Sequence, residues 1–185
     1  LRLRDRFGTD RLILRVSLDH YAPTFHDMER GAGSFAKTLE GLGWLVREGF
    51  IVHVAGRLGF DQGQEAAMRH GYAALFAEYG IPIEAADPVA LMLFPEMDAK
   101  ADVPEITEAC WGILHKSPDS VMCASARMVV KRKGAERPAV VACTLLPYEA
   151  RFELGTTLAE AAQPVALNHP HCARFCVLGG AACSR

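Results

Sequence analysis

Five cysteines in the last third of the chain, Cys123, Cys143, Cys172, Cys176 and Cys183, are placed to act together. Thiolates bind soft metals and iron–sulfur clusters or exchange disulfides, and the redox compartment selects among these. Cys123 stands just before SARMVV, and Cys143 falls near the end of PAVVACTLL. These two β-rich runs flank the polar turn KRKGAER, which contains Gly134, so the stretch reads as a hairpin. Antiparallel pairing would bring Cys123 and Cys143 to the same end of the ribbon. The tail HPHCARFCVLGGAACSR supplies Cys172, Cys176 and Cys183, with no strand alternation and no useful apolar face at the helical period. Together these are enough thiolates for a four-iron, four-sulfide (4Fe–4S) cluster with one to spare. Zinc competes, because four thiolates satisfy it equally. Zinc ribbons, however, usually repeat a tight Cys-x2-Cys, which is absent here. His169 and His171 flank Cys172 as alternative ligands. Cys110, within the expected helix EITEACWGILH, reads as a packed small apolar residue.

The elements upstream alternate between strand and helix. RLILRVSLD has period two, with Leu12, Leu14, Val16 and Leu18 on one face and Ile13, Arg15, Ser17 and Asp19 on the other. After Pro23 and the Gly31 to Gly33 turn, Ser34 is placed to cap a helix carrying Phe35, Leu39, Leu42, Leu45 and Val46, which Gly49 closes. FIVHVAGR is the next strand. Asp61 with Gln64 resembles a capping box ahead of a helix striped by Met68, Tyr72, Leu75, Phe76 and Tyr79, and IPIEAA at 81–86 is the third strand candidate. This order implies a parallel sheet. The polar row Arg15, Ser17, Asp19, His53 and Arg57 suits either the lumen of a partial barrel, with a ligand site at the carboxyl ends of its strands, or an exposed sheet face.

Composition sets the outer limits. The 185 residues are half apolar and carry a formal charge of -2, enough to bury a core and without the basic field that grips nucleic acid. No apolar run would span a membrane, and LRLRDRFGTDR lacks the apolar core of a secretory signal. No nucleic-acid or membrane partner is expected, and the expected compartment is cytoplasmic, where clustered cysteines bind metal before they pair.

RVSLDHYAPTFHDMERGAGSF is similar to the fourth-strand region of radical S-adenosylmethionine (radical SAM) enzymes, where a serine and an aspartate end a strand ahead of His-Asp, Arg-Gly and Gly-Ser-Phe. The succession Cys123, Gly134, Cys143, then Cys172, Cys176 and Cys183 resembles the auxiliary-cluster extension called SPASM or twitch. The two similarities cover most of the chain. The family's Cys-x3-Cys-x2-Cys loop, which holds the catalytic cluster, does not occur in these residues. Cys172-x3-Cys176 is followed by a six-residue gap and lies at the wrong end.

The resemblance therefore implies an α/β fold, the C-terminal half of a partial (β/α)6 TIM-like barrel over 1–104 and a small Cys-rich β-hairpin extension over 105–185. It implies an auxiliary 4Fe–4S cluster on four of Cys123, Cys143, Cys172, Cys176 and Cys183. It also implies part of an S-adenosylmethionine site from Ser17, Asp19 and Arg30, the last through its fork to the cofactor carboxylate. Ser17 and Asp19 would meet its ribose or amino-acid part. His53 and Arg57 could touch substrate, or His53 could simply be a hydrogen-bonded core residue. The substrate would be a peptide or small molecule. Alone, the chain is expected not to cleave the cofactor and to self-associate through the open edge of RLILRVSLD. The alternative is a non-catalytic module binding iron–sulfur or zinc.

Overall fold

The period-two run near the amino end becomes β1 (Ile13–Ser17), and the computed structural model in which it is seen describes residues 2–59, 64–96, 98, 100 and 102–179. Asp61 and Cys183 fall outside the described residues, so the capping box and the fifth thiol are not placed. The chain divides into two units, Leu1–Glu96 and Met97–Arg185.

In the first unit, α1 (Arg2–Phe7) is tied down by Arg4, whose Nη1 donates to Glu48 Oε2 at 3.0 Å. After β1 come α2 (Pro23–Arg30), α3 (Ser34–Arg47), β2 (Ile51–Gly59), α4 (Glu65–Tyr79) and β3 (Leu91–Pro95). The sheet is parallel in the order β1-β2-β3, with Ile13 beside Ile51 and Val54 beside Leu91. Alternation sends Val52, Val54, Leu91 and Leu93 into a core with Phe35, Leu39 and Leu42 of α3 and Met68, Tyr72, Leu75 and Phe76 of α4, while Leu12, Leu14 and Val16 pack against it. The opposite face carries Arg15 and His53, whose Nη2 and Nδ1 lie 3.3 Å apart.

Two expectations for this unit are corrected. The third strand is Leu91–Pro95, not 81–86. Ile81, Ile83 and Ala85 do alternate inward, but the Ile83 N–H donates to the Ile81 carbonyl at 2.9 Å, so this stretch turns on itself instead of pairing. Ser34 is the first residue of α3 rather than its cap, and Gly33, at φ 78, occupies the cap position. Gly49 and Gly80 do end their helices, at φ 76 and 62.

The second unit holds α5 (Ala109–Ile113), a 3₁₀ turn at Pro118–Ser120, α6 (Met122–Ser125), β4 (Met128–Val130), β5 (Ala139–Val141) and β6 (Glu153–Gly155). β4 and β5 form the expected antiparallel hairpin, with Met128 opposite Val141 and the turn glycine Gly134 at φ 79. β6 adds a third strand on β5. The helix expected over 105–115 contracts to α5, and Cys110 is only half-buried, its sulfur accepting the Thr107 N–H at 3.4 Å, so it is not a packed core residue.

The tail does form a helix, of π type, over Cys172–Leu178. Its i→i+5 bonding explains why the ordinary helical period shows no apolar face. Cys172, Ala173, Phe175 and Val177 are buried. Gly179 closes it by donating its N–H to the Arg174 carbonyl at 2.9 Å, and a Cβ at that position would stand 2.6 Å from the same oxygen. Lys116 Nζ donates to the Val177 and Leu178 carbonyls at 2.5 and 3.3 Å, placing a cation at the carbonyl end where the helix dipole favours it.

Candidate functional site

Four of the predicted thiols come together. Cys123 is carried by α6, Cys143 lies two residues beyond β5, and Cys172 and Cys176 sit on the π-helix. All four line one cavity of about 20 Å³, whose other walls, Leu146, Phe152, Val165 and Leu167 among them, are apolar. The hairpin register sets the first pair. Met128 opposite Val141 puts the chain entering β4 and the chain leaving β5 at the same end of the ribbon.

Burial pushes the Cys123 thiol up, Cys143 adds to the rise, and Arg127 counters it. Cys172 is pushed up to about 11, chiefly by burial. At neutral pH Cys123 and Cys172 are protonated thiols in a largely apolar pocket, and no disulfide joins the described cysteines. As they stand, no three described His, Cys, Asp or Glu side chains are grouped to share a single ion. The walls must part to admit anything much larger than a water molecule.

The two histidines beside Cys172 do not line this cavity. His169 is buried edge-on to Phe152 at 6.2 Å between centroids, and its Nδ1 accepts the His171 N–H at 3.1 Å. Burial lowers its pKa, and His171 lowers it further.

At the carboxyl end of the parallel sheet a second cavity, about 410 Å³, is lined by Asp19, His20, Glu29, Arg57, Met68 and Glu96 among others. Asp19 is placed by the strand beside it. Its carbonyl accepts the Arg57 N–H at 2.9 Å, and its own N–H donates to Nδ1 of the fully buried His26 at 3.0 Å. Its carboxylate takes both arms of Arg30, Nε to Oδ2 at 2.5 Å and Nη2 to Oδ1 at 3.1 Å. The two residues expected to bind separate parts of one cofactor are thus bound to each other, in the bidentate geometry a free carboxylate would have used. Ser17 is exposed at the end of β1 and does not line the cavity. Arg57 is likewise engaged, donating to Glu29 Oε2 at 2.6 Å and to Glu96. His53 lies on the sheet's polar face beside Arg15, its pKa lowered by burial and then by that cation.

Two residues of the quoted motif have roles the spacing did not give. His26 holds the Asp19 backbone, and Asp27 takes over the capping that Ser34 was expected to provide. The Asp27 carboxylate accepts from Gly33 N at 2.7 Å, Phe35 N at 2.8 Å and Ser34 Oγ at 3.1 Å. It reaches from one helix to the first turn of the next, satisfying N–H groups that have no partner within α3.

The Phe35 and Gly33 donors hold the Asp27 carboxyl below the usual carboxylate range, against a smaller opposing effect of burial. Its stabilising effect is therefore full above the unfolded carboxylate pKa and is lost as pH falls through the lower folded value. Asp27→Ala is expected to lower the urea midpoint at neutral pH, and the gap to the parent should narrow under acid. A constant gap would mean that the carboxylate charge is irrelevant.

No family model matches the chain, and no curated protein and no solved structure shows significant similarity to it.

Proposed function

We propose that the chain is the C-terminal portion of a radical SAM enzyme, with an auxiliary 4Fe–4S cluster held by Cys123, Cys143, Cys172 and Cys176. The observation carrying this reading is the convergence of four thiols, from three separate elements, on one otherwise apolar cavity. The donor set suits the group. Among the described lining residues the side-chain donors are all sulfur, with no carboxylate or amide, and the remaining walls are apolar, a setting that suits iron–sulfur ligation. When bound, the cluster supplies one-electron redox chemistry or an iron site for substrate. The chain's own part is to present four thiolates, releasing their protons as metal binds, and to keep water out.

In the same reading, the parallel sheet belongs to a partial (β/α)6 barrel whose carboxyl-end cavity contributes to the S-adenosylmethionine site. The ion pair restricts this contribution. Arg30 can reach a cofactor carboxylate only by giving up Asp19, so the pair supports the loop more directly than it supports a ligand, while Ser17 remains exposed for a hydroxyl contact. The substrate is proposed to be a peptide or small molecule.

The test is anaerobic purification and reconstitution of the 185-residue chain followed by iron, sulfide and zinc analysis. Near-equal iron and sulfide with a charge-transfer absorption band is expected. Stoichiometric zinc without sulfide would instead support the non-catalytic metal-binding module.

A further inference from the structure

Arg127 lies between α6 and β4 with an unusual set of partners. Its Nε donates to the Ala161 carbonyl at 3.0 Å, Nη1 to the Cys123 and Ala126 carbonyls at 2.5 and 2.8 Å, and Nη2 to the Gln163 carbonyl at 2.8 Å. One side chain thus ties the backbone that bears Cys123 to the segment 161–163, more than thirty residues along the chain. That segment leads into Val165 and Leu167, which form another wall of the thiol cavity. Among the described residues, no carboxylate forms an ion pair with Arg127. Carbonyl oxygens satisfy its N–H groups but leave its charge uncancelled, and a half-buried guanidinium cannot shed that charge by losing a proton.

A positive charge fixed beside Cys123 would offset negative charge gathered there. Four thiolates around a cluster carry such charge, and reduction adds one more unit, so a fixed cation nearby favours the reduced form. We propose that Arg127 is a positioning residue with two effects: it locks the Cys123 backbone onto the 161–163 wall, and it compensates the charge of a cluster bound by the four cysteines. The proposal rests on the cluster reading above and goes beyond it, because it assigns the cluster's reduction potential to a residue that is not a ligand.

Redox titration of reconstituted parent, Arg127→Lys and Arg127→Gln proteins, followed by the paramagnetic signal of the reduced cluster, tests it. Lysine keeps the charge but cannot bridge four carbonyls, whereas glutamine loses both. At the parent midpoint, R127Q is expected to show a reduced-to-oxidised ratio about tenfold lower, equivalent to about 59 mV for a one-electron couple. R127K should stay near the parent midpoint while retaining less iron and sulfide. Equal shifts in both variants, or none in either, would overturn the charge role. If R127Q holds too little cluster to titrate, R127K decides that role, since a midpoint displaced well below the parent contradicts it. Amide exchange in the metal-free proteins reads the positioning role separately. Faster exchange across 121–127 and 161–163 in both variants is expected, and parent-like rates would overturn it. A parent protein that takes up no iron or sulfide refutes the cluster reading itself, whereas a loaded parent with unaffected variants refutes only the role of Arg127.

Discussion

Alanine at Cys143 is expected to strip most of the iron and sulfide from the reconstituted protein while leaving the fold of its unit in place. Cys143 follows the buried strand β5 and packs against the core formed by Ala142, Leu146, Phe152 and Cys172. Removing one sulfur deletes a small volume from that core, but it deletes one of four ligands, and cluster affinity falls with the loss of a thiolate donor. The same loss is expected for Cys123→Ala and Cys172→Ala. Cys110→Ala is the control, because that sulfur is half-exposed, hydrogen-bonded to Thr107 and outside the thiol cavity. Iron and sulfide analysis beside far-ultraviolet circular dichroism separates metal loss from unfolding. Parent-like iron and sulfide in C143A would show that its thiol is not a ligand.

The largest effect on stability is expected in the first unit, at Tyr72. Its ring is fully buried between the sheet and α4, 5.7 Å from the Phe76 ring and edge-on to Tyr21 at 5.8 Å. Its hydroxyl donates to the Leu18 carbonyl at 2.6 Å, fastening the helix to the chain just past β1. Tyr72→Ala removes a large aromatic side chain from a packed core and is expected to cost about 3–5 kcal/mol. Tyr72→Phe keeps the ring and leaves a buried carbonyl without its donor, costing about 1–3 kcal/mol. Gly56 belongs to the same arrangement, since a Cβ there would press on the Tyr72 hydroxyl and lie 2.9 Å from the carbon bearing it. Gly56→Ala should therefore destabilise the parent more than it destabilises the Tyr72→Phe background. A double-mutant cycle in denaturant reads this coupling, and strictly additive costs would rule it out.

Where one physical preference dominates, these elements are legible in the sequence. Leu12, Leu14, Val16 and Leu18 alternate because one sheet face meets helices, and the hairpin declares itself through two β-rich runs around Gly134. β3 is harder, because Leu91, Met92 and Leu93 are all buried and a short continuous apolar run has no period to read. IPIEAA alternates more cleanly yet joins no strand among the described residues, since alternation reports burial rather than hydrogen bonding. β6 is only three residues long, and the π-helix has a period that the usual template does not test.

The cysteine grouping was legible because hairpin register converts sequence position into proximity. The loop after β1 was less so. His26, Asp27 and Arg30 have the residue types of a ligand-binding loop, but types cannot tell a carboxylate waiting for a ligand from one already holding a guanidinium. Asp27 has the chemistry of a cap, but it lies six to eight residues upstream of the N–H groups it satisfies, whereas the usual cap stands directly before its helix.

Gly179 carries a lesson about tolerance. Its φ of -70 is one that any residue adopts, and the position is exposed, so both backbone preference and solvent access would mark it as permissive. The wide turn ending there brings the Arg174 and Phe175 carbonyls to 2.6 and 2.8 Å from where a Cβ would sit. A saturation library across the tail should therefore show a site that rejects even alanine while lying open to water. The spacing Cys-x3-Cys-x2-Gly would then be a single unit of selection, its glycine kept by the shape of the turn that carries the two sulfurs.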